Sequence, residues 1–179
     1  MSSLPDFSAL EAGAITASLV VDHLGSAQGA LGNSRGIGNE TDRQLLLWFR
    51  GNAEVVLTSG ATAIAEDYKM PSSCDLAILT RQPKGSFSID PRDRKLIIMH
   101  CDFTEGLSKL QEHGYQRIHT EFGPTGFIEL SRPSEIDCYL SSKSADGVDQ
   151  FVSKHELAIQ NRFELPDLFI AKVAGRGRA

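Results

Sequence analysis

The chain predicts an α/β domain with a mainly parallel central sheet and antiparallel strands at its C-terminal end. Three observations carry this. Short apolar runs alternate with segments of helical character from Ala14 to Leu130. Two of the strand-to-helix corners are built from small residues, Ser59-Gly60-Ala61-Thr62 and Glu121-Phe122-Gly123-Pro124-Thr125-Gly126. The last third carries strand-like runs with no obvious crossover helix between them. Alternating strands and helices imply parallel pairing, because a parallel strand needs a crossover connection.

Taken in order, residues 1–12 are polar, contain Pro5 and read as a peripheral tail. Ala14 to Val21 reads as a buried strand ending in Asp22-His23-Leu24-Gly25. Gly25 to Gly38 is rich in Gly, Asn and Ser and lacks helical period, so it reads as a loop of the length that often serves function. Asp42 to Gly51 reads as a helix capped by Asn39 or Thr41, with Asp42 and Arg43 as ordinary first-turn residues. Glu54 to Thr58 is apolar enough for a central strand, and Ala63 to Glu66 is helical. Leu76 to Thr80 and Lys95 to His100 are further strands, separated by a loop from Gln82 to Pro91. Phe103 to His113 reads as a helix stopped by Gly114.

A short strand is expected at Tyr115-Gln116-Arg117, before the second small-residue corner and a helix containing Phe127, Ile128 and Leu130. Glu135 to Leu140 alternates as a strand. Ser141 to Gln160 is polar and shows no clear type. Phe163 to Leu165 and Asp167 to Val173 read as closing strands around Pro166. The tail from residue 174 to 179 reads as peripheral and includes Arg176-Gly177-Arg178. There is no internal repeat and no dividing linker, so residues 1–179 read as one domain.

Composition sets bounds on function. Hydrophobic content of 41% with 23% charged residues is globular, and a net charge of −5 does not suit a nucleic-acid binder. Cys74, Cys101 and Cys138 are odd in number and lack metal-ligand spacing, so neither a disulfide framework nor a metal site is expected, and the setting reads as reduced and cytoplasmic. The five histidines also lack ligand spacing. His119 reads as a satisfied structural residue, and His23, near a strand end, is the better site candidate. No signal peptide or membrane-spanning run is present, so no membrane partner is expected.

The corners suggest chemistry. In a doubly wound sheet, ligands sit off the carboxyl ends of the strands. Pro124 suits a first helical position, and glycine permits close approach of a ligand to the backbone. Either these are plain βα corners, or they hold a diphosphate on free backbone N–H groups with Glu121 nearby. Arg81, following Thr80 at another strand end, is either a solvated cation or the partner of a further phosphate, the arrangement NADP requires. There is no G-x-G-x-x-G, no Walker loop and no G-x-S-x-G.

In their order these motifs resemble the reductase domain of riboflavin biosynthesis. The family's Gly-rich, Ser-containing loop is matched by Gly32-Asn33-Ser34-Arg35-Gly36-Ile37-Gly38, followed by Asp42-Arg43. Its stretch ending V-L-V-G-A-G-T is matched by Phe49 to Thr62, then Glu66-Asp67-Tyr68. Its E-G-G-P turn is matched by Glu121 to Pro124, and its D-E-L strand by Ile136 to Ser141. The chain departs from the pattern at Asp22-His23-Leu24-Gly25 in place of S-L-D-G, at Ser59 in place of glycine, and at Phe122 in place of the first glycine of E-G-G-P.

The resemblance implies a dihydrofolate reductase-like three-layer sandwich and an NADPH-dependent reductase. Its activity would resemble 5-amino-6-(5-phosphoribosylamino)uracil reductase, passing a hydride to a pyrimidine ribosyl phosphate or a related heterocycle. It implies cofactor contacts at Ser59, Gly60, Thr62, Thr80, Arg81, Gly123, Pro124 and Thr125. It implies substrate contacts at Asp22, Ser34, Arg35 and Glu121, and a homodimer. The competing expectation is a non-catalytic nucleotide-binding protein of the same fold.

Overall fold

The computed structural model describes residues 5–29, 32–83, 87–133 and 135–175. The tail Arg176-Gly177-Arg178 lies outside them. The elements run β1 (Ile15–Val21), α1 (Glu40–Asn52), β2 (Val55–Ser59), α2 (Gly60–Ala65), β3 (Asp75–Leu79), β4 (Leu96–Met99), α3 (Phe103–Glu112), β5 (Ile118–Glu121), α4 (Pro124–Leu130), β6 (Ile136–Ser142), α5 (Ala145–Lys154), β7 (Leu157–Leu165) and β8 (Leu168–Gly175). All eight strands form one sheet in the order β4-β3-β2-β5-β1-β6-β8-β7. The first six in that order run parallel, and β8 and β7 close the sheet antiparallel.

Two expectations are corrected, and one unassigned stretch gains an element. The strand before the second corner is Ile118–Glu121, not Tyr115 to Arg117. Ile118 and His119 sit against both β1 and β2, and such double pairing selects the more buried run. The unassigned stretch after Ser142 holds α5, whose Val148, Phe151 and Val152 face inward at helical spacing. Its polar first turn and Gly147 hid it. Glycine is required there because a Cβ would stand 2.1 Å from the Asp22 carbonyl oxygen, so the helix seats directly on the chain leaving β1. The strand expected at Phe163 begins six residues earlier, at Leu157, with a bulge between Ile159 and Asn161.

Alternation along the strands divides the core into two faces. Ile15, Ala17, Val55, Leu57, Cys138 and Leu140 pack beneath α3, α4 and α5. The opposite face carries α1 and α2, with Phe49 and Leu45 against Tyr139, Leu168 and Ile170, and Ala63 against Val56, Leu76 and Ile78. This makes three layers. Between the two apolar patches of the second face runs a polar strip across β1, β5 and β2: Thr16, Ser18, His119, Glu121 and Thr58. A polar strip at the centre of a sheet is costly unless its groups find partners.

Candidate active site

The sheet order turns scattered corners into one surface. Strands β3, β2, β5 and β1 are consecutive neighbours, so Thr80, the Ser59–Thr62 turn, the Gly123–Thr125 turn and Asp22 line up along their carboxyl ends. The Ser59 hydroxyl caps α2 by accepting from the Thr62 amide at 3.1 Å and meets the Thr62 hydroxyl at 2.9 Å. A Cβ on Gly123 would lie 4.0 Å from Thr62 Oγ1, an ordinary contact, with nothing nearer, so a gap about one methyl group wide separates Gly123 from Thr62. Gly60 lacks room for a side chain, since a Cβ would stand 2.6 Å from the Thr80 hydroxyl oxygen.

Phe122 does not stand in that gap as an isolated ring. As the residue after Glu121 it turns to the opposite face, edge-on to Phe103 at 5.6 Å and beside Gly126. A Cβ on Gly126 would come within 2.7 Å of the Phe122 Cβ. Gly126 thus leaves room for the Phe122 ring.

Beside the turns opens a cleft of about 710 Å³ between the β1–α1 loop, α1 and the segment from Ala61 to Ser72. Of the residues implied for the cofactor, Thr62, Gly123 and Pro124 line this cleft, and of those implied for substrate, Ser34 and Glu121 do. Ser59, Gly60, Thr80, Arg81, Thr125, Asp22 and Arg35 are not among its lining residues. Arg81 is exposed beyond the end of β3. Asp22 caps its own turn, its Oδ1 accepting from the Leu24 and Ser26 amides at 2.8 Å each. Ser34 is held by Glu66, which accepts from its amide at 2.8 Å and its hydroxyl at 2.9 Å. Arg35 donates to the Glu66 carbonyl and pairs loosely with Asp67. His23 is exposed and also lies outside the cleft lining.

The floor of the cleft is a network that the sequence did not announce. Arg50, in the last turn of α1, donates Nε and Nη2 to the two Glu121 carboxylate oxygens at 2.7 Å each. Tyr68 donates its hydroxyl to Glu121 and receives Arg50 Nη2 at 3.0 Å. Burial opposes charge on Glu121, but Arg50 outweighs it and holds the carboxyl below its ordinary value. The same burial, with Glu121 beside it, drives the Tyr68 hydroxyl well above the ordinary phenol range. So Glu121 is a charged, fully engaged carboxylate.

His119 lies beneath this network, fully buried. Its Nδ1 meets the Thr16 hydroxyl at 2.8 Å, its Nε2 the Ser18 hydroxyl at 3.0 Å, and its ring stacks on Phe49 at 4.9 Å. Burial pushes its pKa down to about 4 against the opposing pull of Glu121, so the ring is neutral at pH 7. The structural role expected of His119 fits these contacts.

A second carboxylate faces the cleft. Asp42, in the first turn of α1, accepts from the Ser141 hydroxyl of β6 at 2.6 Å. Its burial raises its pKa, an effect the Ser141 hydrogen bond only partly offsets. Asp42 reads in sequence as a first-turn acid; only the packing of α1 across β6 reveals it. Among the described residues no cluster of three or more His, Cys, Asp or Glu is arranged to hold a metal. Cys138 is a buried core residue whose thiol is pushed up to about 12 by burial, with Asp137 adding to the effect.

No family model matches the sequence, and no curated protein matches it either. Solved structures do. A pyrimidine reductase-like protein from Corynebacterium diphtheriae superposes with a TM-score of 0.64 at 17% identity, covering 93% of this chain and 96% of that one. The riboflavin biosynthesis reductase of Saccharomyces cerevisiae gives 0.62 at 10% identity over 91% and 90%. RibD of Acinetobacter baumannii gives 0.64 at 14% identity over 90% of this chain but 58% of its own length. Dihydrofolate reductase of Schistosoma mansoni gives 0.51 at 13% identity over 91% and 97%. These similarities establish the dihydrofolate reductase-like fold.

Proposed function

We propose that this chain is an NADPH-dependent reductase of a nitrogen heterocycle. The observation that carries the reading is the junction of two features. A gap between the Ser59–Thr62 and Gly123–Thr125 turns opens beside a cleft whose floor holds the buried Arg50–Glu121–Tyr68 network. The fold's occurrence in a riboflavin biosynthesis reductase and a dihydrofolate reductase supports it.

The residues present suit the cofactor. Hydroxyls of Ser59 and Thr62 and the uncrowded Gly123 border the gap, with Pro124 and Thr125 beyond it, and the Gly60–Thr80 contact keeps that wall closely packed. Arg81 is the cation that would favour a 2′-phosphate and so NADPH over NADH. The bound cofactor would supply the hydride. The chain's own part is to orient and to exclude water. Arg50 fixes Glu121, and Tyr68 locks its second oxygen, so the carboxylate presents a fixed charge at the cleft floor. Asp42 is the carboxyl group best suited to hold a proton, since burial has already raised its pKa. In this reading Ser34 and Arg35 reach substrate after Glu66 releases them, Asp22 shapes the loop entry, and the protein is cytoplasmic and homodimeric.

The test is calorimetric titration with NADPH and NADH. Binding that prefers NADPH and weakens in Arg81→Ala supports the reading, and absence of binding by either nucleotide rejects it. One observation favours a second reading, a non-catalytic nucleotide-binding protein of this fold: both Glu121 oxygens are already engaged. Tight NADPH binding with no oxidation on any heterocycle would select that alternative. Light scattering at micromolar concentration tests the dimer.

A further inference from the structure

The sheet ends on β7. From Asn161 to Leu165 no strand lies against its outer edge among the described residues. An open edge presents unpaired N–H and C=O groups, which proteins commonly blunt by keeping the strand short or bulged. β7 is nine residues long, and its bulge lies between Ile159 and Asn161, so the stretch from Asn161 to Leu165 is regular up to the hairpin turn. One contact shows which groups face outward. The Arg162 amide donates to the Asn161 side-chain Oδ1 at 2.9 Å, not to β8. Alternation along the strand then turns the Glu164 amide outward as well, and the backbone groups of Phe163 towards β8. Arg162 lies opposite Ala171 and Glu164 opposite Phe169, so both charged side chains stand on the α5 face. Phe163 and Leu165 lie opposite Ile170 and Leu168 on the α1 face, where they are half-buried.

The charges on this edge select a partner. Two antiparallel copies of the edge are related by a two-fold axis through one residue. An axis at Arg162 would set arginine against arginine, and an axis at Glu164 glutamate against glutamate. An axis at Phe163 sets Arg162 of each copy opposite Glu164 of the other. Opposite charges directly across two strands attract, and like charges repel. The same register joins the outward-facing amides and carbonyls of Arg162 and Glu164. On the other face Phe163 meets its own copy across the axis, in the close position without backbone hydrogen bonds where aromatic pairs form. Arg162 already pairs with Asp149 of α5, but the two side chains are 45% and 52% exposed, so this pair does not withhold the guanidinium from a second carboxylate.

We propose that the free edge of β7 pairs with the same edge of a second copy of this chain, antiparallel about Phe163, and continues the sheet across a two-fold dimer. The inference is independent of what the cleft binds, since Arg162, Phe163 and Glu164 are not among its lining residues. Because the interface is self-complementary, every substitution in it acts twice.

The test is analytical sedimentation of the full chain across the micromolar range, where the native protein is expected to dimerise. Arg162→Glu and Glu164→Arg each set like charges opposite one another and should raise the dimer dissociation constant about tenfold or more. The double variant Arg162→Glu/Glu164→Arg exchanges the charges and should return it to near the native value. Phe163→Cys, in a Cys101→Ser background that leaves only the buried Cys74 and Cys138, should form an intersubunit disulfide on mild oxidation, since directly opposed residues of this kind lie within disulfide reach. Asn161→Cys, whose copy would stand at the far end of the paired stretch, should not. A monomer overturns the proposal and leaves the edge to an extended segment of another protein. A dimer that neither charge variant weakens, that the exchange does not restore, or that Phe163→Cys does not cross-link also overturns it and places the interface elsewhere. The reductase reading fails separately. A monomer that binds NADPH rejects the interface alone, and a dimer with these properties that binds neither nucleotide rejects the reductase alone.

Discussion

Arg50 and Glu121 show how one residue pair decides the character of the cleft. Neither side chain is more than about a fifth exposed, at 17% and 11%. Removing one partner of a buried pair leaves an uncompensated charge, which costs about 3–5 kcal/mol. Arg50→Met is therefore expected to lower unfolding free energy by about that amount in urea titration at pH 7. The deficit should narrow on acidification as the stranded Glu121 takes up a proton. His119 gives the second prediction at this scale. Its folded pKa, about 4, lies below its ordinary 6.5, so the unfolded chain binds more protons between those values. Stability then rises with pH across that window and is lost as pH falls from about 6.5 to about 4, by on the order of 3 kcal/mol. Glu121 adds a further loss at lower pH, since its folded pKa is also depressed. Urea midpoints measured between pH 7 and pH 4 should show the slope, and His119→Phe, which can still stack on Phe49, should flatten it. An unchanged slope in that variant would place the acid sensitivity elsewhere. Sequence alone suggested the structural role of His119 but not that of Arg50. An arginine in a helix's last turn reads as a solvated cation, and the partner that buries it lies 71 positions away.

At the scale of elements, what was legible was local. Small residues between an apolar run and a helical one marked both corners, Pro124 marked the start of α4, and Asn39 was one of two caps proposed for α1 and is the one used, accepting from the Asp42 amide at 2.8 Å. Helix α5 was not legible, because its buried residues follow a first turn containing Asp146 and Gly147, and glycine within a helix normally argues against one. The structure supplies the reason for Gly147 in the Asp22 carbonyl. The Phe122–Gly126 contact belongs to this scale and makes a testable pair. Gly126→Ala places a Cβ against the Phe122 Cβ, which cannot swing away, and overpacking of this kind costs about 1–3 kcal/mol. Phe122→Ala costs packing against Phe103. The double variant should be less destabilised than the sum of the singles, because deleting the ring gives the new methyl more room. Strict additivity in a double-mutant cycle would show that the glycine serves something other than the ring.

For the whole molecule, the sheet order was the missing information. Nothing in a single sequence says that β5 threads between β1 and β2, yet that placement alone sets the two small-residue turns side by side and carries Glu121 beneath α1. The same order predicts how a bound nucleotide acts on the fold. Turns at the ends of three adjacent parallel strands, β3, β2 and β5, would be tied together by one ligand, so binding should stabilise the native state as a unit. Linkage gives about 2.7 kcal/mol at a nucleotide concentration a hundred times Kd. A thermal melt with NADPH should shift upward by the corresponding few degrees, and NADH should shift it less. Amide hydrogen exchange should slow at Thr62 and Thr125 together, since both turns border the same gap, while β7 at the far edge of the sheet should be unaffected. Protection confined to one turn would mean that the nucleotide does not bridge the gap. Uniform slowing across β7 would mean that the stabilisation comes from global unfolding alone.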